Sequence, residues 1–422
     1  MNGLFFYIIL AIIVVDYLLE RFLGYLNMTR MSDELPEELQ GIYDPERYGK
    51  SQRYLRSKQR FSFITSTVNF LAILIMLTAG GFGWADSLLR SVTVHPVLLA
   101  LLYFGLLGFA ASLMSVPFEI YSVFVIEEKF GFNTMTVKTF ILDKLKGWML
   151  GAVIGGGLLA LITWIYTSTG NWFWLLVWGV ATAFMVFMAM FYSNLIVPLF
   201  NKQRPLDSGD LRDAIEAFAG NVGFRLKNIY VIDGSRRSKK ANAYFTGLGP
   251  RKRIVLYDTL ITDHTTEELV AVLAHEIGHY KKKHTAQGII ISVLQTGLML
   301  FILSWFIKPG NALSAALCQS LAGITELPVL PSFHLGILAF GMLYSPLSTL
   351  IGLLENMLSR SNEYAADRFA GTHYQPAALQ EALKKLSVNN LSNLRPHPAY
   401  VFFYYSHPTL LQRLEALEKM TD

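Results

Sequence analysis

The chain has 422 residues, of which 53% are hydrophobic and 16% charged, and its mean hydropathy is +0.38. This composition is too apolar for an ordinary soluble protein. Because the apolar residues occur in long runs, it indicates several membrane spans. The net charge of +5 is attributed to basic loops rather than to nucleic-acid binding, and the single cysteine, Cys318, excludes an intrachain disulfide and a cysteine-based metal site.

Seven apolar segments are each long enough, at about 20 residues or more, to cross a bilayer. They are residues 3–24, 61–81, 97–125, 147–167, 172–197, 288–307 and 333–356. The first lacks a basic beginning and a small-residue cleavage site, so it is interpreted as a retained helix rather than a removed signal. No internal repeat is visible, which counts against many transporter folds. The predicted fold class is an all-α polytopic membrane protein with seven transmembrane helices.

Basic residues alternate between the two sides of these spans. Lysine and arginine are frequent in residues 25–60, 126–146 and 198–287 and in the C-terminal tail, and scarce in residues 82–96, 168–171 and 308–332. Because cytosolic loops carry the excess of basic residues, the pattern predicts an N-terminus outside and a C-terminus in the cytosol.

Four regions follow from this arrangement. They are a five-span membrane region (1–197), a cytosolic insert (198–287), spans six and seven (288–358) and a C-terminal segment (359–422). In the insert, the sequence predicts an amphipathic helix at 209–220, a short strand at 229–233, and a hairpin of 242–246 and 253–257 around the turn Gly247 to Pro250. The edge of such a hairpin either accepts an extended peptide by β-augmentation or is a covering sheet without a ligand, and the residues leave both open.

Residues 265–283 are predicted to form one helix that carries the chemistry. Thr265 and Glu268 have the spacing of a capping box at its start. Inside it lies the motif His275-Glu276-Ile277-Gly278-His279. Histidines four residues apart share a helical face, as two ligands of a catalytic zinc do, and Glu276 is placed to act as general base toward zinc-activated water.

An acidic third ligand fits the sequence better than a histidine. Position 285 is a threonine, which excludes the metzincin spacing, and His284 is expected to point away from the metal into solvent. Glu363 and Asp367, four residues apart beyond the last span, share a helical face. Glu363 would complete a two-histidine, one-glutamate zinc site, and Asp367 would hold the distal nitrogen of a ligand histidine or take part in proton transfer.

The C-terminal segment offers one further pair of polar residues. His407 and Arg413, six residues apart, are suited to stabilise an oxyanion formed when water adds to a peptide carbonyl. The alternative is a plain helix start with a histidine in front of it.

In order and type, these motifs resemble the type I CAAX prenyl endopeptidases, a family of integral-membrane zinc metalloproteases. The resemblance extends over nearly the whole chain. The motifs that carry it, besides those above, are Tyr48-Gly49-Lys50-Ser51, residues 124–133, Val197 to Lys202, Asp233 to Ser238, Asn242-Ala243-Tyr244-Phe245, Ser359 to Asp367 and Ser406-His407-Pro408. It implies a seven-helix barrel around a large water-filled chamber, with a small cytosolic α+β metalloprotease domain and one zinc ion at the cytosolic end.

The resemblance also implies roles for individual residues: His275, His279 and Glu363 as metal ligands, Glu276 as catalytic base, and Asn242, His407 and Arg413 near the substrate. The predicted site therefore has Glu276, Asp367 and His407 as catalytic residues and Asn242, Tyr244 and Arg413 as substrate contacts. The implied reaction is removal of the last three residues from a prenylated Cys-a-a-X tail. The chain is short and compact, as in bacterial-type members, which favours a bacterial inner membrane over the endoplasmic reticulum.

Expected partners are a peptide or protein substrate, prenylated or not, and the lipid bilayer, with no nucleic acid; a monomer is plausible. A membrane quality-control metalloprotease acting on non-prenylated proteins is the main alternative. A non-catalytic transporter or scaffold is a weaker one. An intramembrane protease is disfavoured because charged residues, Glu267, Glu268 and Lys281 to Lys283, flank the zinc motif.

Overall fold

The structure, a computed structural model, describes residues 2–224, 229–246, 253–325 and 328–420. The membrane region contains α1 (Asn2–Thr29), α2 (Pro45–Thr78), α3 (Gly81–Arg90), α4 (Pro96–Tyr121), α5 (Val137–Leu150), α6 (Gly156–Thr169), α7 (Phe173–Leu195) and α8 (Val197–Phe200). The remainder contains α9 (Asp210–Asn221), α10 (Asp258–Asp263), α11 (Thr266–Lys281), α12 (His284–Phe306), α13 (Ala312–Gln319), α14 (Phe333–His373), α15 (Pro376–Asn389), α16 (Pro398–Tyr404) and α17 (Leu410–Glu418).

Six helical segments of the described chain are long and apolar enough to cross a membrane, and one of them contains two passes. That segment, Val137–Phe200, is 64 residues long, about twice what a bilayer requires. It reverses at Gly170, whose positive φ of 57° suits a residue without a side chain. Its two halves correspond to predicted spans four and five, so the prediction of seven spans is confirmed.

The spans enclose space rather than packing into a solid bundle. In the most apolar stretch of each segment, only 6–17% of residues are buried within the protein. Helices that filled a common core would bury their inward faces, whereas helices around a chamber leave both faces open. The expected all-helical, chamber-forming membrane fold is therefore confirmed.

The insert forms a four-stranded sheet of β1 (Gln203–Pro205), β2 (Ile229–Ile232), β3 (Ala243–Thr246) and β4 (Arg253–Tyr257) in the order β1-β2-β4-β3. The predicted pairing of β3 with β4 is confirmed as antiparallel, with Tyr244 opposite Val255. The predicted turn from Gly247 to Pro250 lies outside the described residues. In this order β3 is an edge strand, so one side of its backbone has no strand partner among the described residues and can accept one.

Helix α11 runs through the core of the non-membrane part and packs against α9, α14 and α15. Its predicted capping box is present, with Thr265 and Glu268 each accepting from the other's backbone N–H. Gly278 brings it close to α14, because a Cβ there would lie 3.1 Å from the backbone of Ala366. This close crossing lies between Glu363 and Asp367 and presses both carboxylates against the histidine motif. The expected boundary at 358/359 falls inside α14, which continues the last span into this crossing.

Candidate metal centre and active site

The side chains of His275, His279 and Glu363 converge at the crossing of α11 and α14. The Nε2 atoms of the two histidines are 3.0 Å apart, and the carboxylate oxygens of Glu363 lie 3.2 Å from Nε2 of His279 and 3.4 Å from Nε2 of His275. Together these residues offer three ligand atoms within 4.8 Å of one another.

This spacing fits a tetrahedral metal ion. Ligand atoms about 2.1 Å from a tetrahedral zinc lie roughly 3.4 Å apart, and each pair of residues has ligand atoms near this separation, Glu363 through Oε1 toward His279 and through Oε2 toward His275. Oε2 of Glu363 is buried and has no hydrogen-bond partner in the described chain, because Nη1 of Arg413, at 3.7 Å, is too distant to donate to it; a bound cation would satisfy this oxygen. The donor set and this unsatisfied oxygen therefore both fit a divalent cation such as zinc.

Two further residues hold His275 from behind. Oδ1 of Asp367 lies 2.8 Å from Nδ1 of His275, which directs Nε2 of that ring toward the ligand cluster. Arg413 in turn donates to both carboxylate oxygens of Asp367, at 2.8 and 2.6 Å. Burial alone would lower the pKa of His275, but the carboxylates of Asp367 and Glu363 raise it to about 9. The cluster therefore favours positive charge at this position.

His284 lies in a place that the sequence reasoning did not predict. It was expected to be solvated, but it is half-buried, with its Nδ1 2.9 Å from Nδ1 of His279. The expectation assumed one continuous helix, whereas α11 ends at Lys281 and Lys283 adopts a left-handed conformation with φ of 62°. This break starts α12 in a new direction and returns His284 to the ligand. Three consecutive lysines contain no glycine or proline to signal the break.

Glu276 faces a cavity of about 510 Å³. It is partly buried, and its carboxylate has no hydrogen-bond partner in the part of the chain that the structure describes. Burial raises the pKa of Glu276 above its usual value. The same cavity is lined by His275, His279, Glu363, Tyr244 and Glu355, so a peptide bond in it would lie next to both the ligand cluster and an available base.

The remaining expected site residues occupy three different positions. His407 lies at the rim of this cavity, with its side chain 62% exposed and Nε2 3.4 Å from Oε1 of Glu363. Arg413 is largely buried behind Asp367 and does not line this cavity. Asn242 is exposed just before β3, and its side chain accepts from the N–H of Ala243. Of these three, only His407 reaches the cavity directly.

Comparison with known proteins matches the two halves of the chain separately. Residues 24–202 match a family described as the CAAX prenyl protease N-terminal, five membrane helices, and residues 205–421 match peptidase family M48. The division falls in the turn between α8 and β1, where the membrane region gives way to the sheet.

Individual relatives cover nearly the whole chain. It is 35% identical to CAAX prenyl protease 1 of Saccharomyces cerevisiae over 97% of its length and 94% of that protein, and 30% identical to the CAAX prenyl protease 1 homolog of Homo sapiens over 96% and 93%. The crystal structure of S. mikatae Ste24p superposes with a TM-score of 0.90 at 34% identity, covering 98% of this chain and 99% of that one. With the metal-ligand cluster and the chamber-forming helices, these matches establish that the chain belongs to peptidase family M48, as an integral-membrane metalloendopeptidase of the CAAX prenyl protease type.

Proposed function

We propose that the protein is a zinc-dependent endopeptidase that removes the C-terminal three residues of prenylated Cys-a-a-X substrates. The observation that carries the mechanism is that three convergent ligand atoms share one cavity with the carboxylate of Glu276, which is unpaired within the described residues. The relatives named CAAX prenyl protease 1 support the substrate class.

Each residue of the cluster has a separate role in this proposal. His275, His279 and Glu363 hold the ion. When bound, zinc lowers the pKa of a water molecule to about 7 and polarises a carbonyl oxygen. Glu276 accepts the proton from the attacking water and then donates it to the nitrogen of the leaving amine. Its raised pKa helps it to hold the proton between these two steps.

The second group of residues orients the first. Asp367 and Arg413 fix the ring of His275, and His284 does the same for His279. His407, exposed at the rim, is suited to donate a hydrogen bond to the oxyanion that forms at the scissile carbonyl.

The free edge of β3 is the proposed binding surface for the substrate backbone. Ala243, Tyr244 and Phe245 line the cavity beside Glu276, and β3 pairs on its other side with β4. An extended peptide can therefore add as a fifth strand, which would hold its scissile bond at a fixed distance from the metal cluster. Asn242 would meet the peptide at the start of this strand.

The proposed topology places the catalytic helix in the cytosol. In this proposal the lysine- and arginine-rich loops lie on the same side of the spans as α11, and the excess of basic residues in cytosolic loops supports that side being the cytosol. Prenylated proteins present their lipid at the cytosolic membrane surface, so this orientation brings tail and cavity to the same side.

A cleavage assay with purified protein in detergent tests the substrate class. It compares a farnesylated Cys-a-a-X peptide with the same peptide lacking the lipid, and identifies the products by mass spectrometry. The proposal expects a released tripeptide from the farnesylated peptide and much slower cleavage of the other. Equal cleavage of both would replace this substrate class with the quality-control function. Failure to cleave either, in a sample containing stoichiometric zinc, would contradict the proposed function.

A further inference from the structure

A second cavity, of about 450 Å³, lies at the end of α1 and shares no lining residue with the cavity that Glu276 faces. Three arginines, Arg30, Arg360 and Arg395, contribute to its wall, and none of its described lining residues is acidic. Catalysis as derived above uses none of these arginines. A cavity so rich in guanidinium groups without carboxylates attracts an anion.

The position of this cavity along the spans is fixed by two of the arginines. Arg30 directly follows α1, and Arg360 is the first lysine or arginine in α14, after its apolar part. The end of α1 is tied to the C-terminal segment, because Oδ1 of Asn27 accepts from the N–H of His397 at 3.1 Å. The cavity therefore lies where apolar spans end, at the depth of lipid headgroups on the side of the membrane that carries the catalytic helix.

The guanidinium groups of Arg30 and Arg360 retain donors for a ligand. The side chain of Arg30 is exposed and forms no ion pair with the described residues. Arg360 uses only Nη1 for the carbonyl oxygens of Tyr405, at 2.6 Å, and Val401, at 3.4 Å; its Nη2 and Nε have no partner in the described chain. Since a phosphate offers several acceptor oxygens, two such groups can bind it together.

Part of the cavity wall is apolar. Pro398, Val401 and Phe402 belong to α16, a short helix that packs against α1 and α14. Phe402 is 44% exposed, so its apolar surface is available to a ligand. A wall that combines guanidinium groups with apolar side chains matches a headgroup joined to an acyl chain, whereas a soluble anion would leave the apolar side chains without a partner.

We propose that the cavity between the ends of α1 and α14 binds an anionic phospholipid, with its phosphate at Arg30 and Arg360 and its glycerol and upper acyl chains along α16. Basic pockets between transmembrane helices bind anionic headgroups in this way. The bound lipid joins α1, α14 and α16 at the membrane surface. Because α14 also carries Glu363 and Asp367, the bound lipid stabilises the helix that completes the metal cluster.

Native mass spectrometry of the purified full-length protein tests this proposal. The protein is incubated in detergent with phosphatidylglycerol or phosphatidylcholine, and retained lipid is counted in the wild type, Arg30→Gln and Arg30→Lys. Wild type is expected to retain one phosphatidylglycerol in preference to phosphatidylcholine. Arg30→Gln should lower that retention about fivefold, and Arg30→Lys should keep most of it, since one basic residue at a membrane surface contributes about 1 kcal/mol.

Arg212→Gln is the matched control, because it removes the same charge from α9, away from the cavity. It should retain lipid like wild type. Arg30 is more informative than Arg360, since Arg360 also holds the end of α16 and its loss disturbs the fold. Equal retention of the two lipids, or unchanged retention in Arg30→Gln, would overturn the proposal. Displacement of the lipid by millimolar inorganic phosphate would reassign the cavity to a soluble phosphate and also overturn it.

Discussion

The catalytic crossing and the membrane spans of this protein are organised in opposite ways. In α11 every residue from Glu268 to His275 is buried; most of the apolar ones belong to a hydrophobic core, and Glu268 and His275 have defined polar partners. In the spans, at most 17% of the most apolar stretch is buried. The crossing of α11 and α14 fixes the positions of the catalytic side chains, whereas the spans set the size and boundary of the chamber.

The two regions meet in α14. Its first half is a span with exposed apolar residues, such as Leu350 and Leu354, and its second half carries the buried pair Glu363 and Asp367. The single helix α14 therefore connects the membrane region rigidly to the metal cluster. Substitutions in the crossing should affect chemistry and stability strongly, and comparable substitutions in the spans should affect them weakly.

The largest expected effect is on catalysis by Glu276→Gln. The amide cannot accept the proton from water, so cleavage should fall by about 10³-fold or more while bound zinc remains at wild-type level. Turnover and metal content are measured on the same preparation. Glu355→Gln, which alters another glutamate of the same cavity, should lose far less activity. Normal turnover in Glu276→Gln would rule out this residue as the base.

The second effect concerns stability. Leu273 in α11 is fully buried, whereas Leu354 in α14 is 66% exposed. Leu273→Ala should cost about 2–5 kcal/mol by leaving a cavity, and Leu354→Ala about 0.5 kcal/mol or less. Apparent melting temperatures in detergent compare the two variants directly. Similar losses in both would contradict the distinction between a packed crossing and open spans.

A third test concerns the support of the metal cluster. Asp367→Asn keeps the size of the side chain but removes the charge that holds His275 and Arg413. Metal affinity, measured by competition with a chelator, should fall by about 10-fold to 100-fold. Asp213→Asn, on the exposed side of α9, is the control and should bind metal like wild type. Unchanged affinity in Asp367→Asn would remove this residue from the metal site.

The smallest expected effect is that of His284→Ala. It removes one hydrogen bond between the two imidazole rings, which contributes about 0.5–1.5 kcal/mol, so metal affinity should fall by about twofold to tenfold. His284→Gln, which offers a hydrogen-bonding group of similar reach, should restore part of the loss. An identical affinity in wild type and His284→Ala would return this residue to the solvated role first expected for it.

Much of this arrangement was predictable from sequence because its signals are local or periodic. The lengths of the apolar segments predicted the membrane spans, and the capping box at Thr265 predicted the start of α11. Glu363 lies more than 80 residues after the histidine motif in the sequence. Its pairing with that motif was predicted only because Glu363 and Asp367 form a second motif with helical spacing.

The remainder depends on three-dimensional packing that leaves no local pattern. The turn at Lys283 that returns His284 to His279 occurs within a run of lysines, and the burial of Arg413 behind Asp367 depends on α17 packing against α14. Strand β1 is three residues long and ends in proline, which carries little strand signal.

The central claim is that Glu363 of α14 completes a metal site begun by the two histidines of α11. Metal content per chain, measured by elemental mass spectrometry after dialysis against a weak chelator, tests it most directly in wild type, Glu363→Gln and Glu355→Gln. One zinc ion per chain is expected in wild type and Glu355→Gln, and little or none in Glu363→Gln. One zinc ion per chain in Glu363→Gln, held as tightly as in wild type, would contradict it.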